Sequence, residues 1–128
     1  SCLNQFIMVY GLYLACDQDR WFRNNFSDDD FLTGTIYTDI NQVTAKDTTG
    51  YTIKIKLFRR DGPGRHGDFL NATATAVVEA NGTWQYAMRE QDIPPRGLYW
   101  IAAELSKTGT RETTLNRVEF HVLEGPAA

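Results

Sequence analysis

Apolar and polar residues alternate with a two-residue period along most of the chain. In residues 51–58, one face carries Tyr51, Ile53, Ile55 and Leu57, and the other carries Thr52, Lys54, Lys56 and Phe58. This period is typical of an antiparallel strand with one buried face. We therefore predict a strand in which Lys54 and Lys56 face water.

The same period recurs further along the chain. Four more apolar faces can be read: Ala74, Ala76, Val78 and Ala80; Trp84, Tyr86 and Met88; Tyr99, Ile101, Ala103 and Leu105; Val118, Phe120 and Val122. Asn81-Gly82 favours the positive φ angles of a tight hairpin turn. Pro94 and Pro95 lack the N–H donors that a strand ladder needs, so residues 90–96 are predicted to be a crossover loop.

Short strands between turn signals, with no helical period after Phe31, predict an all-β fold. We expect a single immunoglobulin-like antiparallel β-sandwich over residues 28–124. Residues 1–27 would be an N-terminal apolar arm and spacer, and residues 125–128 a C-terminal tail. The chain has 128 residues, 42% of them hydrophobic and 23% charged, which suits one folded domain with a real core.

The predicted arm contains the most apolar run of the chain, Phe6–Cys16. Its residues fit both a helical face and a strand alternation, so the period does not decide between helix and strand. The run is too short to cross a bilayer and lacks the basic start of a signal peptide, so we expect no membrane contact. We expect the arm to pack against a neighbouring subunit through Leu3, Phe6, Ile7, Tyr10, Leu14, Trp21 and Phe22.

Charge and cysteine content exclude some partners. The formal net charge is −3 and the basic residues are scattered, so nucleic acid is not an expected partner. Cys2 and Cys16 both lie in the first sixteen residues, where a strand or helix would hold their Cα atoms beyond the limit of roughly 7 Å for a disulfide, so we expect two free thiols. Three Asn-x-Ser/Thr triplets begin at Asn25, Asn71 and Asn81, and the sequence leaves open whether they are modified.

No catalytic or metal-binding constellation can be read from the sequence. The two histidines, His66 and His121, have no serine or cysteine nucleophile at a recognisable spacing. The adjacent Asp28, Asp29 and Asp30 do not have the alternating spacing of a calcium loop. We therefore expect a protein that is not an enzyme and needs no cofactor.

Two sets of residues remain candidates for binding. The glycine-rich stretch "RRDGPGRHGD" holds Arg59, Arg60, Arg65 and His66, which we expect to form a contact loop toward a neighbour. A carboxylate or phosphate clamp is the alternative for these arginines. Trp100 lies on the polar face of its strand and is a candidate ligand platform.

Three motifs carry a resemblance to a known family. The stretch "DTTGYTIKIKL" over residues 47–57 is followed by "NGTW" at residues 81–84 and by "GLYWI" at residues 97–101. This succession resembles the immunoglobulin-like modules of tailed-phage structural proteins, particularly the N-terminal domain of baseplate upper proteins. The resemblance covers about residues 28–124 and does not include the N-terminal arm.

The resemblance implies a bacteriophage virion structural protein in the tail, baseplate, neck or capsid decoration. Such a protein would contact other copies of itself and other virion proteins, and a homo-oligomer is expected. The alternative is a non-catalytic surface-binding module, either a carbohydrate-binding or an adhesin domain, that uses Trp100.

Overall fold

The structure is a computed structural model that describes residues 11–23, 30–60 and 70–124. The described residues form nine β-strands and two short 3-10 helices, with no α-helix among them. The strands are β1 (Tyr13–Cys16), β2 (Arg20–Phe22), β3 (Phe31–Tyr37), β4 (Thr52–Arg59), β5 (Leu70–Val78), β6 (Thr83–Ala87), β7 (Gly97–Lys107), β8 (Thr110–Thr113) and β9 (Val118–Leu123); the 3-10 helices span Glu79–Asn81 and Glu90–Asp92. The prediction of an all-β fold is confirmed.

The strands follow one continuous hydrogen-bonded path in the order β1-β3-β6-β5-β4-β7-β9-β2, with β8 paired to β7. Strand β5 joins the two halves, because Leu70–Ala74 pair with β4 whereas Thr75–Val78 pair with β6. The sheet curls into a half-barrel around its core. The two separate sheets expected of a sandwich are therefore not confirmed. The antiparallel expectation fails where β2 runs parallel to β9 and at the isolated parallel bridge between Leu12 and Thr114.

The inner face of the curled sheet forms one hydrophobic core. Most of the side chains predicted from the two-residue period in β4, β6, β7 and β9 are buried in it: Ile53, Ile55, Leu57, Trp84, Met88, Tyr99, Ile101, Ala103, Leu105, Phe120 and Val122. Tyr51, Tyr86 and Val118 are only partly buried, and Val78 and Ala80, which were predicted on the apolar face of β5, are exposed. The predicted turn at Asn81-Gly82 also lies where expected. It is longer than a two-residue hairpin turn, since the 3-10 helix Glu79–Asn81 precedes Gly82, whose φ is 67°.

Gly34 in β3 lets three elements pack closely. A Cβ atom placed there would lie 2.1 Å from the carbonyl oxygen of Ala15 in β1 and 2.6 Å from Cζ2 of Trp84 in β6. Such distances are far below van der Waals contact, so only glycine fits without a shift of the backbone. The large indole of Trp84 thereby lies fully buried beneath the β1–β3 pair.

The N-terminal arm was predicted wrongly for the residues that the structure describes. Leu14 in β1 and Trp21 in β2 are both buried in the hydrophobic core, so both belong to the same domain as the other strands. Phe22 pairs with Leu123 in β9. Apolar residues at two-residue spacing, as in Leu12 and Leu14, are what an edge strand of a core needs. Leu3, Phe6, Ile7 and Tyr10 lie outside the described residues.

Candidate functional site

Of the predicted contact loop, the structure describes Arg59 and Arg60, at and just after the end of β4. Arg65 and His66 lie outside the described residues. The two described arginines point to opposite faces, as successive residues of a strand do. Arg60 reaches the outer face of the sheet, where the structure also places Trp100.

Phe58, Trp100 and Glu119 form a row on this outer face. Phe58 in β4 is the cross-strand partner of Trp100 in β7, and Trp100 is the partner of Glu119 in β9. Directly opposed residues of antiparallel strands share a face, with Cβ atoms about 5 Å apart. All three side chains are partly exposed. A half-exposed tryptophan therefore lies between an aromatic ring and a carboxylate.

Arg60 covers Trp100 and binds its neighbour. The guanidinium carbon of Arg60 lies 5.1 Å from the centroid of the Trp100 ring. The same guanidinium donates through Nη1 to Oε2 of Glu119. Nε2 of His121 lies 3.7 Å from Oε1 of Glu119, which gives this carboxylate a second neighbour on β9. Planar guanidinium groups stack on aromatic faces and pair with carboxylates at the same time, so Arg60 joins both halves of the row.

Arg117 lies over the Phe58 ring as Arg60 lies over the Trp100 ring. The guanidinium carbon of Arg117 lies 5.4 Å from the centroid of the Phe58 ring. Each of the two aromatic rings thus has a guanidinium over it. We name the outer-face set Phe58, Arg60, Trp100, Arg117, Glu119 and His121 the aromatic-arginine surface. Aromatic side chains and arginine are enriched at protein interfaces relative to the remaining surface.

The aromatic-arginine surface continues into a charged region on the same face. Glu104 is buried between Lys56 and Arg111, with N···O distances of 3.7 Å and 3.3 Å. Lys54 is the cross-strand partner of Glu104. This face carries five basic side chains beside the carboxylates Glu104 and Glu119: Lys54, Lys56, Arg60, Arg111 and Arg117. This face is therefore basic although the whole chain carries a net charge of −3.

Arg59 makes hydrogen bonds within the domain, on the other face from Arg60. Its Nη1 donates to the hydroxyl oxygen of Tyr99 at 3.0 Å, and its Nη2 donates to the carbonyl oxygen of Arg96 at 3.4 Å. The Tyr99 hydroxyl in turn donates to the carbonyl oxygen of Pro95 at 2.7 Å. Arg59 thus fastens the crossover before β7 to the end of β4, and it does not join the outer surface.

A concave region, separate from the aromatic-arginine surface, lies where β5 and β6 diverge. It is a groove of about 510 Å³ lined by Leu70, Asn71, Ala72, Thr73, Thr75, Tyr86, Ala87 and Arg89. At its rim the buried carboxylate of Asp92 accepts hydrogen bonds from the Tyr86 hydroxyl at 2.7 Å and from the backbone N–H of Arg89 at 3.1 Å. Burial acts to raise the pKa of Asp92, but these bonds and the Arg89 guanidinium outweigh it and lower that pKa.

The part of the chain that the structure describes contains no group of three His, Cys, Asp or Glu side chains that could hold a metal ion. Within the same part, no helix is long and apolar enough to cross a membrane. Cys16 is a free thiol whose burial raises its pKa to about 11, which disfavours the nucleophilic thiolate.

Sequence reasoning identified Trp100 and Arg60 separately but did not join them. It also placed Phe58 on the polar face of β4. The missing information was the register between β4, β7 and β9, which brings these faces together. A single sequence does not contain that register, because the turns between these strands are long.

Comparison with known proteins finds a structural likeness but no family model and no curated relative. Among solved structures, the chain is similar to an endo-β-1,4-mannanase from Thermotoga petrophila, with a TM-score of 0.50 and 10% sequence identity. The similarity covers 94% of this chain and 21% of the mannanase chain, so this chain spans about a fifth of that protein. At this identity the likeness concerns the fold alone.

Proposed function

We propose that this chain is a non-enzymatic structural domain of a bacteriophage particle, with immunoglobulin-like topology, that contacts a neighbouring protein through its aromatic-arginine surface. The observation that carries the proposal is the Arg60–Trp100 stack beside Glu119. The sequence resemblance to phage immunoglobulin-like modules supplies the biological setting. No cofactor takes part in this role.

The strand order supports the immunoglobulin-like part of the proposal. In that fold, strands named A to G in chain order form one sheet in the order A-B-E-D and another in the order C-F-G. Here β1, β3, β6 and β5 neighbour each other in that order, followed by β4, β7 and β9. Taking β1, β3, β4, β5, β6, β7 and β9 as A to G reproduces both orders, with β5 connecting the two sheets.

Tyr99 provides a second, independent feature of that fold. Many immunoglobulin-like domains have a tyrosine near the start of strand F whose hydroxyl bonds to the backbone a few residues upstream. Tyr99 is the third residue of β7, which corresponds to strand F, and its hydroxyl donates to the carbonyl oxygen of Pro95. This bond holds the crossover that contains Pro94 and Pro95 against the start of β7.

The composition of the aromatic-arginine surface favours a protein partner. Tryptophan and arginine are the residues most enriched among those that dominate interface energies. Because a guanidinium already lies over each ring, a sugar would first have to displace Arg60 or Arg117 to stack there. The basic character of this face favours a partner surface rich in carboxylates, which would make association weaker at high salt.

Quantitative mass spectrometry of purified particles tests this function. Particles of the bacteriophage that encodes the chain are expected to contain the chain at a fixed copy number. In particles assembled with Trp100→Ala, we expect the copy number to fall, whereas Phe31→Ala, a change of an exposed aromatic on the other half of the sheet, should leave it unchanged. Absence of the chain from purified particles would overturn the proposal.

Carbohydrate binding is the second candidate, because Trp100 is partly exposed on an open sheet face beside the polar groups of Glu119 and His121. Aromatic side chains with polar neighbours are the usual platform for a sugar ring. A glycan array distinguishes the two candidates. Binding that is lost in Trp100→Ala and kept in Phe31→Ala would favour the carbohydrate function, and absence of binding by the wild-type chain would exclude it.

A further inference from the structure

Strand β5 leaves β6 part of the way along its length, so the two strands open a fork. Residues 75–78 of β5 pair with β6, whereas residues 70–74 pair with β4. On the other arm of the fork, Tyr86 and Ala87 of β6 pair with β3 and have no pairing partner in β5. The groove of about 510 Å³ lies between these two arms and is lined by residues of both. Each arm therefore presents a strand edge to the groove.

The pairing of β6 with β3 fixes which backbone groups of β6 point into the groove. Successive residues of a strand direct their N–H and C=O groups to opposite edges. The N–H of Met88 donates to the carbonyl oxygen of Asp30, on the side of β3. Ala87, one residue earlier, therefore directs its N–H and C=O groups toward the groove. Arg89 is on the same side as Ala87, and its N–H donates to the Asp92 carboxylate at the rim.

The same alternation fixes the groups that β5 directs into the groove. Gln85 lies two residues before Ala87, so its backbone groups point toward β5, where its partner is Thr75. Thr75 in turn directs its backbone groups toward β6. Asn71 and Thr73 precede Thr75 by four and two residues, so their N–H and C=O groups point to the same side, into the groove. The alternate residues of β5 direct theirs toward β4.

The backbone groups in the groove match an extended peptide. Asn71, Thr73 and Ala87 are all exposed, and within the described part of the chain no strand pairs with the edges to which their outward groups belong. Along β5 these groups repeat every two residues, about 7 Å apart. An extended peptide carries N–H and C=O groups along each edge at the same interval. Addition of a peptide to a free strand edge is a recurring mode of recognition.

The position of the groove also restricts which peptide can enter. A strand inserted in the fork would lie between β5 and β6 and use both of its own edges. Each described strand of this chain already pairs along at least one edge, so none of them could enter the groove of a second copy without leaving its own sheet. Arg89 at the rim is already paired with Asp92, with an N···O distance of 3.3 Å, so the groove does not require an acidic peptide.

We propose that the groove between β5 and β6 binds an extended segment of a different protein, which pairs through its backbone with Asn71 and Thr73 on one side and with Ala87 on the other. Residues 70–74 span roughly 17 Å, so the bound segment has about five residues. The inference rests on the proposed structural function and deepens it, because it gives the conformation of a partner at a second contact, separate from the aromatic-arginine surface.

Amide hydrogen exchange tests the proposal. In the isolated chain, the N–H groups of Asn71, Thr73 and Ala87 are expected to exchange at least about tenfold faster than those of Ala72 and Ala74, which face β4; NMR resolves the single residues. In purified phage particles, mass spectrometry should show protection of the peptides that contain residues 71–73 and 87. The exposed strand β8 is the internal control and should exchange equally in both samples.

A matched pair of variants tests the groove itself. Ala87→Arg places a long side chain in the groove, and particles assembled with it should lose the protection of residues 71–73. Val77→Arg is the control, since Val77 is an exposed residue of β5 with an exposed fraction of 54% and does not line the groove. Particles with this variant should keep the protection. Thermal unfolding of both isolated variants confirms that the domain is folded.

The outcomes separate this inference from the proposed function. Protection of the three N–H groups in the isolated chain would overturn the inference: if it is independent of concentration, the chain fills its own groove, and if it grows with concentration, a second copy does. Equal exchange of these groups in the isolated chain and in particles that contain the chain would also overturn it, while the proposed function stands. Absence of the chain from the particles would overturn both.

Discussion

The side-chain amide of Asn116 makes the two hydrogen bonds to the backbone of Leu14 that a neighbouring strand would otherwise make. Its Oδ1 accepts the backbone N–H of Leu14 at 2.7 Å, and its Nδ2 donates to the Leu14 carbonyl oxygen at 2.9 Å. β1 lies at the end of the strand order, so this side of its backbone has no strand partner among the described residues. Asn116 thereby satisfies the edge of β1 and ties it to the loop before β9.

Replacing Asn116 by alanine should lower the free energy of unfolding by about 1 to 3 kcal/mol, because the half-buried N–H of Leu14 would lose its acceptor. Urea unfolding measures this change. Asn116→Asp keeps an acceptor oxygen but sets its second carboxylate oxygen against the Leu14 carbonyl oxygen that Nδ2 contacts at 2.9 Å, so a loss at least as large is expected. A change of less than about 0.5 kcal/mol for Asn116→Ala would show that water replaces the side chain without cost.

Gly34→Ala should destabilise the domain by about 3 kcal/mol, since the new methyl group would overlap the Ala15 carbonyl oxygen and the Trp84 ring. Gly109→Ala is the comparison. Gly109 has a φ of 81° and open space around it, so its substitution carries only the backbone cost of about 1 to 2 kcal/mol. Chemical unfolding of both variants measures the difference. Equal stabilities would mean that β1 and Trp84 shift easily.

Asp92 should make the domain lose stability in acid. The pKa of Asp92 in the folded state is below the ordinary value of 3.8. Its hydrogen-bonded carboxylate therefore stabilises the folded state above that pH, and this contribution is lost as the pH falls toward the folded-state pKa. Asp92→Asn should lower the melting temperature at pH 7. The difference in melting temperature between this variant and the wild type, here called the gap, should narrow below about pH 4. Tyr86→Phe should show a smaller gap of the same kind. A gap that is constant with pH would contradict this account of Asp92.

Arg60→Ala should expose the Trp100 ring while changing the free energy of unfolding by only about 0.5 to 1 kcal/mol, as is usual for exposed cation–π pairs. Acrylamide quenching of tryptophan fluorescence, with Trp100→Phe subtracted to isolate Trp100, measures the exposure. Arg60→Lys is expected to give an intermediate value, because an ammonium group does not stack flat on the ring. Unchanged quenching in Arg60→Ala would show that Arg60 does not cover Trp100 in solution.

The two-residue period predicted the buried faces of β4, β6 and β9, since each of these strands has one face that is more buried than the other. It also predicted the buried Tyr99, Ile101, Ala103 and Leu105 of β7, although Ala102 and Glu104 on the opposite face of that strand are buried as well. The two-residue period also implied that Arg59 and Arg60 differ in direction. Because they are successive residues of the chain, their side chains had to point to opposite faces, although the sequence analysis grouped them in one contact loop. Strand β2 could not be predicted in this way. Its three residues, Arg20–Phe22, are too few to show a period, and its parallel pairing with β9 depends on contacts distant in sequence.

The candidate site was predictable only in parts. Trp100 could be assigned to an outer face from its own strand, but its neighbours Phe58 and Glu119 come from strands whose register the sequence does not contain. The role of Leu14 was missed for a related reason. An apolar run beside a polar spacer suggested a separate arm, whereas the hydrogen bonds of Asn116 and the pairing with β3 place Leu14 in the core.

Hydroxyl-radical footprinting of Trp100 tests the central claim most directly, by comparing purified phage particles with the isolated chain. The account predicts that Trp100 is oxidised in the isolated chain and protected in the particle, while the exposed Phe31 is oxidised equally in both. Equal oxidation of Trp100 in the two samples, or particles that do not contain the chain, would contradict the claim that the aromatic-arginine surface is an assembly contact.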